Sequence, residues 1–155
     1  MKTETMSAVV MELPMARVAN PADLRKGRDL EDHHRLRAWR SSLRGFLRAS
    51  KNILKQHDVT TLQYQSLLEI WEASGGRGLS VGELAVQLRV KHNSAVEVVN
   101  MLCVKKLTLR SRSEDDRRVV HVQLTPEGRA LLAKLVNAHV RELDAIAPHM
   151  RKVFR

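Results

Sequence analysis

Apolar positions recur along this chain first at helical spacing, then at every second residue, then at helical spacing again. From Arg28 to His57, the residues Leu36, Trp39, Leu43, Phe46, Leu47, Ile53 and Leu54 form an apolar stripe, with Arg37, Arg40, Arg44, Arg48, Lys51 and Lys55 as a basic stripe beside it. A helix of that length is about 45 Å long, more than a small domain covers. The pattern therefore predicts a pairing helix without a partner in its own chain, completed by a second chain. Val59 to Ala73 reads as the next helix. Thr60 and Gln63 have capping-box spacing, and Leu62, Leu67, Leu68, Ile70 and Trp71 supply the core side. Ser74-Gly75-Gly76-Arg77-Gly78 breaks the pattern. Ser80 and Glu83 repeat the capping-box spacing ahead of Val81, Leu84, Ala85 and Leu88. A further helix turns Ala95, Val96, Val98, Val99, Leu102 and Cys103 inward and leaves Asn93, Glu97 and Asn100 as a polar row at i, i+4 and i+7.

Alternation then takes over. Leu107 and Leu109 oppose Thr108, Arg110 and Arg112; after a charged tip, Val120, Val122 and Leu124 oppose Val119, His121 and Gln123. Thr125-Pro126 gives a cap followed by proline at the first helical position. The helix it opens carries Leu131, Leu132, Leu135, His139, Leu143 and Ile146, and Pro148 is expected to start a last short helix ending at Arg155. The predicted fold is mainly α with a small β-wing (α+β): a winged helix-turn-helix with N- and C-terminal dimerisation helices. Residues 1–27 read as a tail or partner-packing segment, the latter because of Val9, Val10, Met11 and Leu13. Residues 28–57 read as a dimerisation helix, 58–125 as the DNA-binding domain, and 126–155 as C-terminal dimerisation helices.

Charge indicates the partner. Lys and Arg number 27 against 17 Asp and Glu, a formal net charge of +10, which predicts a polyanionic partner, nucleic acid ahead of an anionic membrane surface. With 43% hydrophobic but only 3% aromatic residues, the core must be built of Leu, Val, Ile and Ala. A single cysteine excludes an internal disulfide and fits a reducing compartment. No apolar run approaches the roughly 20 residues that span a bilayer, and Glu4 and Glu12 are out of place in a signal peptide. A cytoplasmic protein is expected. The seven histidines show no metal spacing, His33-His34 being a pair without a third ligand nearby. With no nucleophile–base constellation and no Gly-rich phosphate loop, neither an enzyme nor a cofactor or metal is expected.

In this order the residues resemble the MarR family of bacterial transcription regulators. The resemblance rests on VTTLQYQSLL (59–68), LSVGELAVQLRV (79–90), SAVEVVNML (94–102), DDRRVV (115–120) and LTPEGRALL (124–132), and covers about Arg28 to Ile146. It implies a homodimer held by terminal helices, with each recognition helix in a major groove and each wing in the flanking minor groove. It also implies repression relieved by a small, often aromatic or phenolic, ligand, or in some members by thiol oxidation. The sequence departs from the family pattern at Lys106, where glycine is usual, at Lys91, where a Ser or Thr cap is usual, and at Met101, where arginine is common. Its C-terminal helix also reads as short.

Lys91, His92, Asn93 and Ser94 open the recognition helix, where side chains reach base edges. Asn93 can pair with adenine, and Glu97 can accept from cytosine N4 or simply balance nearby cations. In the wing, Arg110, Arg112, Arg117 and Arg118 surround Ser113-Glu114-Asp115-Asp116. Asp116 is expected to brace Arg118 in a forked pair, leaving Arg117 freer to enter a minor groove, although a narrow groove attracts either arginine. Cys103 continues the apolar face and reads as a buried small hydrophobe rather than a sensor. His33, His34, Trp39, Tyr64 and Trp71 are candidates to line a ligand pocket, though core packing and ordinary surface histidines are the simpler account of any one of them. The expected function is a sequence-specific DNA-binding regulator, most simply a repressor, that binds a pseudo-palindromic operator as a homodimer and is released by a small molecule. The alternative is a winged-helix module for protein–protein contact or non-specific nucleic-acid binding.

Overall fold

The computed structural model of the chain describes residues 27–73, 78–112 and 120–153. Five helices and three strands follow in the order α1 (Gly27–Gln56), α2 (Thr61–Glu72), β1 (Leu79–Ser80), α3 (Val81–Leu88), α4 (His92–Val104), β2 (Thr108–Arg112), β3 (Val120–Leu124) and α5 (Pro126–Val153). The strands form an antiparallel sheet in the order β1-β3-β2, with Leu79 opposite Val122 and Arg110 also opposite Val122 across β3. This is the mainly helical winged helix-turn-helix that the residue pattern predicts.

Local chemistry sets the helix starts. Both capping boxes form: Gln63 N–H donates to Thr60 Oγ1 at 3.2 Å while Thr60 N–H donates to Gln63 Oε1 at 3.1 Å. Glu83 N–H donates to Ser80 Oγ at 3.2 Å while Ser80 N–H donates to Glu83 Oε2 at 2.8 Å. Each satisfies two amides that would otherwise lack partners. Before α5, Thr125 Oγ1 accepts from Gly128 N–H at 2.9 Å.

Three helices stop on a non-glycine residue in the left-handed region: Asp58 (φ 53°), Arg89 (φ 54°) and Lys106 (φ 58°). In each, the next amide closes a Schellman bond back over the turn, Val59 to Leu54 at 3.0 Å, Val90 to Ala85 at 3.0 Å and Leu107 to Leu102 at 2.9 Å. Val59 packs with Leu54, and Leu107 with Leu102, so two of these turns are held by apolar contact. Lys106 thus adopts a left-handed conformation that glycine takes most easily.

The main core lies between α2, α3, α4, the sheet and the start of α5, with Leu67, Ile70, Leu84, Val99, Leu102 and Val122 fully buried. A smaller cluster of Leu54, Val59 and Leu135 joins α1 to α5. Beside it His139, 5% exposed, connects three helices. Its Nε2 lies 2.8 Å from Ser50 Oγ of α1 and its Nδ1 2.7 Å from the Leu135 carbonyl. The ring stacks on Tyr64 of α2 at 4.5 Å and meets Phe46 edge-on at 6.2 Å.

Several expectations change. The helix α1 does have a partner in its own chain. It runs antiparallel to α5, because Leu131, Leu135 and His139 present a matching inner face. Apolar side chains of the pair nevertheless stay uncovered, with Leu36, Leu47, Val140 and Leu143 exposed. Pro148 does not start a new helix; it lies inside α5, which continues to Val153 and is not short. The chain gives up one hydrogen bond there near the helix end, where the loss is small beside restarting a helix. In β2 the expected parity fails: Thr108 is 3% exposed and Leu109 43%. Leu107 belongs to the Lys106 turn and is itself buried, Thr108 is turned in against Cys103 (Oγ1 to Sγ 3.4 Å), and Leu109, Arg110 and Arg112 are all exposed. In β3, Val120 is exposed, whereas His121 and Val122 are both buried, because this central strand is covered on both faces. Cys103 itself is half-buried. The segment 1–26, the glycine break at 74–77 and Arg155 lie outside the described residues.

Candidate nucleic-acid interface

Helix α3, the Arg89 turn and α4 form the helix-turn-helix. Burial of Ala95, Val98, Val99 and Leu102 fixes the rotation of α4, and so fixes what it shows to solvent. Lys91, His92, Asn93, Glu97 and Asn100 are exposed, and Ser94 is half-buried. Asn93, Glu97 and Asn100 make one row down the free face, spanning about 10 Å, or about three base-pair steps of a duplex. Lys91 is the N-cap of α4 and makes no side-chain cap hydrogen bond. The first amides of α4 are therefore open to an external acceptor, the arrangement that suits a phosphate.

Strand β2 flanks this row. Arg110 and Arg112 are exposed, and Arg110 reaches across to α4, its Nη2 donating to Asn100 Oδ1 at 2.7 Å. The structure thus brings Asn93, Glu97 and Arg110 to one surface and adds Asn100, which was outside the candidate contact set. Its sequence signal was the spacing of seven from Asn93; its link to Arg110 needed the fold. Asp116, Arg117 and Arg118, with the brace expected between them, lie outside the described residues.

The five candidate ligand residues do not share one cavity within the chain. His33 and His34 are exposed near the start of α1, and Trp39 is half-buried on the same helix. Tyr64 is engaged with His139, and burial raises its phenol above the ordinary value of 10.0. Trp71, two turns further along the same face of α2, lines a cleft of about 250 Å³ against α5, with Leu68, Arg129, Leu132, Val136 and Asn137. Arg129 and Asn137 give this cleft polar ends that spacing alone did not reveal. Among the described residues, no helix is long and apolar enough to cross a membrane.

Comparison with known proteins points the same way. The family model described as transcriptional regulator SarA/Rot matches residues 48–135. YhbI, an uncharacterised HTH-type transcriptional regulator of Bacillus subtilis (strain 168), is 39% identical over 82 residues, 53% of this chain and 51% of that protein. A MarR family protein from Bacillus stearothermophilus has the same fold, with a TM-score of 0.62 at 21% identity over 78% of this chain and 81% of that one. So does an S. aureus MepR variant solved bound to an oligodeoxyribonucleotide, with a TM-score of 0.60 at 23% identity over 74% and 79% of the two chains. The matches cover about half the length of the curated relatives, 51%, 45% and 60% of three of them.

Proposed function

The chain belongs to the transcriptional regulator SarA/Rot family, and from that premise we propose that it is a DNA-binding regulator working in the cytoplasm as a homodimer. The observation that carries this reading is the exposed row Asn93–Glu97–Asn100, held outward by the buried side of α4 and flanked by Arg110 and Arg112. Amide and carboxylate groups in a row carry base-edge readout, and cations beside them carry phosphate contact. Lys91, His92 and Ser94 extend the surface at the open end of α4, where base edges and the nearest phosphates meet. Arg117 and Arg118, with Asp116 as brace, are assigned to the flanking minor groove. MepR, which shares the fold, binds an oligodeoxyribonucleotide in its own structure.

The exposed apolar side chains of α1 and α5, Leu36, Leu47, Val140 and Leu143, are assigned to contact with a second copy. Pairing through terminal helices places two α4 rows for successive turns of a pseudo-palindromic operator, about 34 Å apart. Repression follows from occupying such a site. The Trp71 cleft, with an aromatic wall and the Arg129 cation, fits a small aromatic acid. A ligand there contacts α2 and α5 together, and a coupling of about 1–3 kcal/mol is enough to release DNA.

The test is selection of duplexes from a random pool by the purified chain, with its mass measured by light scattering at micromolar concentration. The expected result is a dimer that enriches a two-fold-related motif, preferred over scrambled duplex by about 10³–10⁷-fold. A monomer, or equal binding to every duplex, overturns the reading. A set of aromatic acids that leaves DNA affinity unchanged overturns the ligand part alone.

A further inference from the structure

We propose that Asn100 and Arg110 form one base-reading unit selective for guanine, in which Arg110 is a positioning residue that fixes which half of the Asn100 amide faces the groove. The inference rests on the reading of α4 as the DNA-reading helix. Its starting point is the 2.7 Å bond from Arg110 Nη2 to the Asn100 side chain. A guanidinium only donates, and a primary amide has a single accepting atom. The oxygen must therefore face Arg110, and the NH₂ group must point away from it. No described residue accepts from that NH₂ group, and both side chains are exposed.

This constraint changes what the amide recognises. A free asparagine pairs bidentately with adenine, donating to N7 and accepting from N6. With its oxygen turned toward a cation, Asn100 presents its NH₂ donors to the groove, and Arg110 acts by holding that orientation. The matching major-groove edge is guanine, whose N7 and O6 are both acceptors, whereas cytosine offers a donor and is rejected. Glu97, three residues earlier and about 4.5 Å along the axis, is acceptor-only and reads the neighbouring step in the opposite sense. The pair of turns thus distinguishes a donor-bearing base from guanine at adjacent positions.

The experiment uses the full-length chain and duplexes selected by the wild-type protein, varied at each base pair in turn. Wild type is expected to prefer guanine over adenine by about 5- to 150-fold at one position per half-site. Arg110→Ala frees the Asn100 oxygen, so the guanine-to-adenine ratio at that position should collapse or invert, on top of a uniform loss of affinity. An Arg110 that only touches phosphate would lower every sequence equally and leave the ratio within about twofold of wild type, overturning the proposal. Asn100→Asp provides a second variant at an exposed position. It removes the donors and should abolish the guanine preference at the same base pair; retention of that preference also overturns the proposal. Thermal unfolding by circular dichroism confirms that each variant is folded. A wild-type chain that binds all duplexes alike overturns the nucleic-acid reading itself, and this inference with it.

Discussion

The carbonyl oxygen of Leu107 occupies the space where a side chain on Gly128 would begin. Around it the first turn of α5 closes onto the start of the wing. Thr125 N–H donates to the same Leu107 carbonyl at 3.1 Å, and Thr125 Oγ1 donates to the Lys106 carbonyl at 2.7 Å. The Leu-Thr-x-x-Gly motif at 124–128 is therefore a joint. Leu124 anchors it in the core, Thr125 caps α5, and Gly128 lets the two backbones approach. Gly128→Ala must push α5 off the strand, at a cost of about 1–3 kcal/mol or more. For a chain of this size that is a fall in Tm of about 2–4 °C per kcal/mol. Calorimetry checks it, and a variant that melts with the wild type would mean that the two backbones have room for a side chain at Gly128.

Lys106→Gly should act in the opposite direction. Lys106 holds φ at 58°, where a Cβ costs about 1 kcal/mol or more. Glycine returns part of that gain through its freer unfolded chain. A net stabilisation of about 0.5–1 kcal/mol is expected, visible as a higher urea midpoint with an unchanged slope. An unchanged or lower midpoint would mean that the Leu107–Leu102 contact and its Schellman bond leave no strain to relieve.

Much of this architecture was legible in the sequence, and the remainder has identifiable causes. Capping boxes at Thr60 and Ser80 are local, so spacing located them, and the period of α4 gave its buried side and its polar row. Alternation misplaced Leu109 because β2 is an edge strand that buries only its first residue, Thr108, and an edge position is set by the fold rather than by the local pattern. Pro148 read as a boundary because proline breaks helices in isolation, whereas near the end of α5 it removes a single bond. The Arg110–Asn100 pair joins a strand to a helix across ten residues and exists only once the fold brings them together. Of the ligand candidates, Trp71 acquires a cleft through Arg129 and Asn137, which lie about sixty residues away in the chain.

Tyr64 offers a direct report on the α1–α2–α5 junction, since it is the only tyrosine in the chain. Burial raises its phenol above 10.0, favouring the neutral form in the folded state. The contribution to stability is fully present below the unfolded value near 10 and is lost as pH rises through the higher folded value. The phenolate absorbance near 295 nm should therefore titrate above pH 10 in the native protein and move down toward 10 in denaturant. Coincident curves would mean that the ring is solvated and its stacking on His139 is not maintained. Ser50→Ala, which leaves His139 Nε2 without its partner, should lower stability by about 1 kcal/mol and bring the two curves closer.

Lys91 separates stability from function. It occupies an N-cap with extended backbone angles, φ −65° and ψ 148°, yet contributes no capping bond. Lys91→Ser supplies an oxygen to the open amides of α4 and should stabilise the fold by about 0.5–1 kcal/mol. The same change removes a cation, and its hydroxyl competes with any phosphate for the helix amides. DNA affinity should fall across all sequences alike, and the slope of log K against log salt should shrink by about 0.9, the share of one phosphate contact. Chemical denaturation and salt-dependent titration of one duplex measure the two effects separately. A stabilised variant with an undiminished salt slope would take Lys91 off the duplex; a variant with no gain in stability would mean that α4 does not start at His92. With both changes observed, lysine at this position is explained as stability given up for contact with the phosphate backbone.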